Sequence, residues 1–231
     1  MVFERNLLDF HAHILPTADH GSSSLEQSLR QLDIARKHGV SRIVATPHFY
    51  PDRHSLEQFL TRRSASWSML STAREVGAPL VALGAEILIC DGIERLDGLE
   101  KLCIEGTNIL LLELPFSLFK LGYRDSVYRL IKSGFNVVLA HIDRYDPADI
   151  ELFLECGAKA QLNAFALSGL TVPSYIKDWA RSGAVIALGS DIHSDDKRAY
   201  RAFKKAKSRL EKLGALDYII DQSNNLKIPF I

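Results

Sequence analysis

The feature that most constrains this chain is the set of groups that end its apolar runs. Asp9-Phe10-His11-Ala12-His13 closes a first run at about residues 7–10. Pro47-His48 closes Ile43-Val44-Ala45-Thr46, and Glu86 follows Val81-Ala82-Leu83-Gly84-Ala85. Glu113 closes the run 109–112, His141 closes 137–140, and Asp191-Ile192-His193 closes 185–190. Neutral imidazole and carboxylate together are the ligand set of borderline-to-hard divalent metals. Six separate run ends can bring such groups to one place only if the runs are parallel strands, because their C-terminal ends then lie on one side of the sheet. The pattern points to an enzyme with a metal site assembled from the whole chain.

The rhythm between the runs supports that geometry. Ser23-Ser24-Leu25-Glu26 has capping-box spacing before a segment that Gly39 can end, and Ser55-Leu56-Glu57-Gln58 repeats the device with Gly77 as its stop. Gly134, Gly157, Gly183 and Gly214 close further segments rich in helix formers. Strands are expected at about 7–10, 43–46, 80–85, 109–112, 136–140, 160–163 and 185–189. Continuously apolar strands separated by helices form parallel sheets covered on both faces. Seven such units with functional groups at the strand ends predict an α/β fold of the (β/α)7 barrel kind, in one domain over residues 1–231. An open doubly wound sheet is the alternative. The sequence has no Gly-x-Gly-x-x-Gly or Walker loop to favour a nucleotide-binding version of it.

Composition narrows the function classes. Lysine plus arginine equals aspartate plus glutamate at 28 each, so no bulk field attracts nucleic acid or an anionic lipid surface. The chain is 47% hydrophobic, yet no run reaches the ~18 apolar residues of a membrane span. The start, residues 1–8, carries no cleavable signal pattern, and the expected location is cytoplasmic. Cys90, Cys103 and Cys156 are odd in number and scattered, which fits reduced structural cysteines rather than a disulfide framework or a thiolate zinc site. None precedes the five-residue loop and arginine of a cysteine-based phosphatase.

The individual motifs differ in weight. His11 and His13 are alternate residues on a strand, so both imidazoles can reach one ion, and Asp191 and His193 repeat the spacing. Glu86 and Glu113 stand where a barrel strand should be apolar, and a carboxylate there is rarely buried unless paired or bound to metal. His48 and His141 stand alone and would mean little without the others.

Taken in order, Asp9-Phe10-His11-Ala12-His13-Ile14-Leu15-Pro16, Ala45-Thr46-Pro47-His48, Leu83-Gly84-Ala85-Glu86, Leu112-Glu113-Leu114-Pro115-Phe116, Ala140-His141-Ile142-Asp143-Arg144-Tyr145 and Ser190-Asp191-Ile192-His193 resemble the polymerase and histidinol phosphatase (PHP) superfamily. Within it the chain is most similar to the bacterial manganese-dependent protein-tyrosine phosphatases encoded with capsule and exopolysaccharide genes. The resemblance implies a distorted (β/α)7 barrel holding three divalent ions, manganese expected, with iron or zinc as alternatives. It places His11, His13, Glu86 and Asp191 around one ion. Glu86 bridges to a second, held also by Glu113 and His141, and His48 and His193 hold a third. Family enzymes complete the third site with an aspartate just before a glycine; the aligned position in Thr17-Ala18-Asp19-His20-Gly21 is His20. An imidazole there brings no negative charge and shifts preference toward softer ions.

The chemistry expected of this set is attack on phosphorus by hydroxide derived from metal-bound water, with no covalent enzyme intermediate. Arg144 and Arg198 match family arginines that contact phosphate, and with His48 and Asp191 they complete the expected catalytic group. Phe49, Tyr50, Phe116 and Phe119 could form an apolar lip for a tyrosine ring, Asn163 could hydrogen-bond substrate, and His38 and His54 read as a helix-end cap and a solvent-facing residue. The function implied is hydrolysis of phosphotyrosine on a protein, an autophosphorylated polysaccharide-assembly tyrosine kinase. The alternatives are a small-molecule phosphoesterase such as a histidinol-phosphate phosphatase, and a non-catalytic regulator whose one support is His20.

Overall fold

The structure, a computed structural model, describes residues 8–116 and 121–231. Alternation of strand and helix runs from end to end: β1 (Leu8–Ala12), α1 (Leu25–Lys37), β2 (Arg42–Ala45), β3 (His48–Phe49), α2 (Leu56–Ala73), β4 (Leu80–Leu83) and β5 (Glu86–Leu88) make up the first part. The second holds β6 (Ile109–Glu113), α3 (Leu121–Lys132), β7 (Asn136–Leu139), α4 (Pro147–Glu155), β8 (Lys159–Asn163), α5 (Ser174–Ser182), β9 (Val185–Gly189), α6 (Arg198–Leu213) and α7 (Leu216–Asn225). Every strand pairing is parallel, in the order β3-β5-β6-β7-β8-β9-β1-β2-β4.

This linear order describes a closed ring. β2 and β3 are successive pieces of one strand path interrupted at Thr46-Pro47, where proline cannot donate to a ladder. β4 and β5 are likewise interrupted at Gly84-Ala85. The two paths stay zipped across the interruption, since Gly84 N–H donates to Ala45 O at 2.8 Å and Glu86 N–H to Pro47 O at 3.1 Å. Seven strand paths therefore surround the core, as expected, but the single strand expected at 80–85 is two. The barrel is distorted at the same place. No α-helix follows β5; two short 3-10 turns (Ile93–Arg95 and Leu99–Leu102) stand there instead. β4 is bonded to β2, β5 to β6, and Ile104 joins the interior cluster beside them.

Side-chain alternation sorts the strands into two apolar layers. Leu8, Phe10, Val44, Ala82, Leu111, Val138 and Ile186 form the inner cluster. Ile43, Ala45, Val81, Leu83, Leu110, Leu112, Val137 and Leu139 belong to the outer one, with Leu32, Phe59, Leu70, Val127 and Leu130 of the covering helices. Burial on both faces explains why the runs read as continuously apolar.

The helix boundaries follow their caps. Ser55 and Gln58 form the expected reciprocal capping box. The box expected from Ser23 is shifted by one: Ser24 is the cap, accepting from Gln27 N–H, and the Gln27 side chain reaches back to Ser23. α2 stops at Ala73, before Gly77, while Gly183 and Gly214 cap α5 and α6 in the left-handed conformation. His38 Nδ1 bonds the Ile34 carbonyl at 2.8 Å, the helix-end role expected of it. Among the described residues no helix is long and apolar enough to cross a membrane.

Candidate metal centre

The inner face of the barrel changes character along each strand. On β6 the alternation that places Ile109 and Leu111 inside brings Glu113 to the same side; on β8 it brings Gln161 and Asn163. β1 needs a further device. Between Asp9 and Ala12 it carries one residue more than β2, so pairing passes from Asp9↔Ile43 to Ala12↔Ala45. Such a bulge re-aims side chains. Below it Leu8 and Phe10 face the apolar interior; above it Ala12 packs outward, and His11 and His13 face the barrel's C-terminal mouth. Two glycines make room. A Cβ on Gly189 would lie 2.7 Å from His11 Cβ and 2.6 Å from Gln161 Nε2, and one on Gly21 would lie 2.4 Å from His13 Cβ.

Three overlapping groups of donors result: His11, His13, Glu86 and Asp191; His48, Glu86 and Glu113; and His13, His48 and His193. In the first, the Nε2 atoms of His11 and His13 are 3.1 Å apart, and each is 3.1 Å from Glu86 Oε2. Asp191 Oδ1 lies 3.7 and 3.4 Å from them. Four donors held tetrahedrally at ordinary metal–ligand distances are about 3.3–3.6 Å apart. His141 Nε2 stands 2.8 Å from Glu86 Oε1 and 3.7 Å from Glu113 Oε1, so Glu86 faces donors with both oxygens. His48 Nδ1 is 3.0 Å from Glu86 Oε2, and its Nε2 is 3.4 Å from His193 Nε2.

The proton inventory shows that these residues fit cations. Gln161 Oε1 can only accept, so His11 Nδ1 donates to it at 3.1 Å and the Nε2 lone pair points inward. Asp19 Oδ2 fixes His13 in the same way at 2.7 Å. The Asp191 carbonyl accepts from His193 Nδ1 at 3.0 Å. The Tyr145 hydroxyl donates to Leu114 O, so its oxygen accepts the hydrogen bond of His141 Nδ1–H. Four imidazoles are thus oriented with unprotonated nitrogens toward one another. Glu86 Oε2 and His48 Nδ1 are buried without a hydrogen-bond partner. A buried oxygen 3.0–3.1 Å from three ring nitrogens that accepts no hydrogen bond from any of them is what a divalent ion would satisfy.

Electrostatics agree. Burial, with Glu86 beside it, pushes the Glu113 carboxyl up to about 7. Burial pushes His48 down to about 3, keeping it neutral. Burial opposes ionisation of Asp191, but the His13 and His11 imidazoles beside it hold it below the usual carboxylate range. Burial likewise opposes charge on His13, and Asp19 and Asp191 overcome it, so protons and metal compete for the same nitrogens. Backbone strain gathers here too: His141 (φ 31°) and Asp191 (φ 51°) are two of only four non-glycine residues in the left-handed region among those described.

A cavity of about 300 Å³ opens over the donors, lined by His20, His48, Tyr50, Glu86, Glu113, Phe116, Arg144, Asp191 and His193. Residues 7–223 match the family described as capsular polysaccharide synthesis, CpsB/CapC. The chain belongs to the CpsB/CapC family. It is 28% identical over 211 residues to the putative tyrosine-protein phosphatase CapC of Staphylococcus aureus, covering 84% of this chain and 80% of that one. It is 28% identical over 213 residues to the tyrosine-protein phosphatase CpsB of Streptococcus pneumoniae (83% and 85% covered). Against the tyrosine-protein phosphatase YwqE of Bacillus subtilis it is 29% identical over 171 residues (71% and 67%). A crystal structure from work on YwqE and the pneumococcal CpsB, described as unique metal-dependent tyrosine phosphatases, superposes with a TM-score of 0.79 at 23% identity, covering 96% of this chain and 93% of that one. An organophosphorus hydrolase mutant from Deinococcus radiodurans shares the barrel at a TM-score of 0.52 and 12% identity.

In this CpsB/CapC chain the expected site residues fall into three sets. His11, His13, His48, Glu86, Glu113, Asp191 and His193 converge in the donor groups and His141 stands against Glu86 and Glu113, although His48 sits closer to Glu86 than to His193, and His13 joins the third group. His20 is exposed and absent from the converging groups; its ring stacks 4.5 Å from that of His48 and 4.9 Å from that of His193. Asp19 cannot serve in its stead, because its oxygens are taken by His13 Nδ1 and by the N–H groups of Gly21 and His48. Arg144 lines the cavity and pairs with Asp191 Oδ2. Arg198 does not: its side chain is 81% exposed and bound to Asp196 at the start of α6, so the catalytic role expected of it has no support. Phe49 is no lip residue but core, packed edge-on to Phe59 at 5.2 Å, while Phe119 lies outside the described residues. Asn163 spends its carbonyl on Gln161. Gln161 itself, inside β8 in an apolar context, went unread; a polar residue at the inner position of a buried strand is the signal that marks it.

Proposed function

We propose that this protein is a metal-dependent phosphatase that hydrolyses phosphotyrosine on protein, and that its substrate is an autophosphorylated tyrosine kinase of polysaccharide assembly. The observation that carries the reading is Glu86, buried between two donor groups with one oxygen lacking any hydrogen-bond partner, beneath an open cavity that also holds Arg144. The names of the relatives, all tyrosine-protein phosphatases, agree with it. Two to three divalent ions are proposed, manganese first, held by His11, His13, Glu86 and Asp191, by Glu86, Glu113 and His141, and by His48 and His193. When bound, such ions neutralise phosphoryl oxygens and lower the pKa of water toward neutrality.

The chain's own residues supply the rest. The Arg144 guanidinium at the rim suits two phosphoryl oxygens, and Asp191, now its partner, holds it aimed at the mouth. Tyr50, stacked on His48 at 5.2 Å, and Phe116, 69% exposed and 5.7 Å from the Tyr145 ring, flank the opening where a phenyl ring enters. A phenolate leaves far more readily than an alkoxide, so no dedicated acid is required. We further propose that the chain acts as one cytoplasmic domain.

The test compares turnover of a phosphotyrosine peptide with that of histidinol phosphate in manganese-loaded protein, with and without chelator. Peptide hydrolysis abolished by chelation is expected. Preference for histidinol phosphate would replace protein by a small molecule as substrate, and undiminished activity in excess chelator would remove the metal.

A further inference from the structure

A second cavity, of about 400 Å³, adjoins the metal-lined one, and the two share the walls made by His20, His48 and Tyr50. Its other side carries Arg53, His54 and Arg62. Arg62, on α2, is half-buried and has no ion pair or hydrogen bond among the described residues. Arg53 lies with its guanidinium 4.8 Å over the Tyr50 ring and likewise lacks a carboxylate partner there. The one carboxylate in the lining, Asp19, is turned inward, both oxygens engaged by His13, Gly21 and His48. Other arginines of this chain are tied to carboxylates, as Arg30 is to Asp195, Arg36 to Asp33 and Arg129 to Glu94, or to neutral oxygens, as Arg42 is to Asn224 and Arg74 to the Ile231 carbonyl. Two unpaired guanidinia over one concavity make a local positive field where an anion recovers strong, charge-assisted hydrogen bonds.

We propose that this cavity is a specificity subsite for a second anionic group of the substrate, a carboxylate or a further phosphoryl group on a residue flanking the one being hydrolysed. The inference rests on the phosphopeptide reading above. Because the cavities are contiguous, an extended peptide with its phosphate over the donors presents a neighbouring side chain to Arg53 and Arg62. A small aryl phosphate has nothing to place there.

The test uses manganese-loaded full-length protein and fluorescence anisotropy with three peptides bearing a non-hydrolysable phosphonate analogue of phosphotyrosine. The flanks are alanine, glutamate or a second residue of the phosphonate analogue. Anionic flanks should tighten binding about tenfold, the worth of one hydrogen-bonded ion contact. Arg62→Gln and Arg53→Gln should each remove most of that gain, while affinity for the alanine peptide and turnover of para-nitrophenyl phosphate stay unchanged. Arg62→Lys should restore part of it. A gain confined to the phosphonate flank assigns the subsite to a phosphoryl group, and a gain with both assigns it to anions in general. Equal affinity for all three peptides, or an equal loss for all three in the variants, overturns the proposal. Absent turnover of para-nitrophenyl phosphate would sink the phosphatase reading alone, since the peptide comparison reads binding.

Discussion

The two ends of this barrel are built from the same strands and have opposite interiors. Toward the N-terminal ends, Leu8, Phe10, Val44, Ala82, Ile109 and Val138 fill the space with apolar side chains. Toward the C-terminal ends, the same inner face carries His11, His13, Glu86, Glu113, Gln161 and Asp191, all but Glu113 essentially inaccessible. One end stabilises the fold by burial. The other spends stability to hold charged groups, a strained backbone at His141 and Asp191, and an oxygen with no partner. The difference teaches that stability and function can be separated by a few residues along a single strand, and each end can be attacked alone.

The largest effect is expected at Glu86, the carboxylate common to two donor groups. Glu86→Gln should lower kcat/KM for a phosphotyrosine peptide at least about a thousandfold, ~4 kcal/mol, by removing the shared charge that holds the ions. Elemental analysis should show metal content falling with it, while the melting temperature of chelated protein does not fall. A variant that keeps its metal and its turnover breaks the division between the ends.

Ile109→Ala attacks the other end. A buried isoleucine cut to alanine should cost roughly 3 kcal/mol in urea unfolding, through lost burial and the cavity left behind. Metal content and kcat at temperatures well below the transition should match the parent. Loss of metal here would show that the lower interior positions the donors, and the two ends would then be one unit.

Gln161→Leu tests the junction. Its carbonyl accepts from His11 Nδ1 and, at 2.8 Å, from His141 N–H, so leucine frees one ring and one backbone group at once. Metal affinity, followed by competition with a chelating dye, should fall about 10–100-fold with little change in fold. Unaltered affinity would mean that packing alone orients His11.

The smallest effect is a pH dependence. In metal-free protein the Glu113 carboxyl titrates near 7, against a usual 4.5, because burial disfavours its charge. A raised carboxylate means that the folded state binds more protons than the unfolded one in that window. Its contribution to stability is therefore lost as pH rises from about 4.5 to 7. His48, held near 3, opposes this trend below about 6.5, so the parent's profile alone is mixed. The difference between the parent and Glu113→Gln isolates the carboxylate: thermal melts should show the parent losing ground steadily across that range. A difference that is flat with pH, or rises, would place Glu113 in a better-solvated setting than its 7% exposure indicates.

Much of the site was legible because parallel strands deliver their ends to one side. That rule converts residues up to 180 positions apart, His13 and His193, into neighbours without any knowledge of distances. It worked for the eight converging donors and failed where position along the chain was taken for position in space. Arg198 follows His193 closely, but the turn into α6 carries it out to Asp196 and solvent. Phe49 follows His48 directly, and the alternation of β3 sends it into the core against Phe59. His20 lies in a loop with no periodicity to fix its aim, and Asp19 beside it turned out to orient His13.

What the amino-acid sequence determined by itself was periodic: apolar runs of strand length, caps and glycines that cut the helices, and polar groups at the run ends. Those are local properties, written in propensity and side-chain alternation, and they suffice for a parallel barrel whose mouth gathers imidazoles and carboxylates. What only the tertiary structure decided was non-local. The bulge in β1 that swings His11 and His13 inward depends on the register with β2. The tautomers of four histidines depend on acceptors supplied by Gln161, Asp19, Tyr145 and the Asp191 carbonyl. The unpaired state of Arg53 and Arg62 depends on where every carboxylate around them went. Each is a question of who stands within 3 Å of whom, and no pattern along one strand contains that answer.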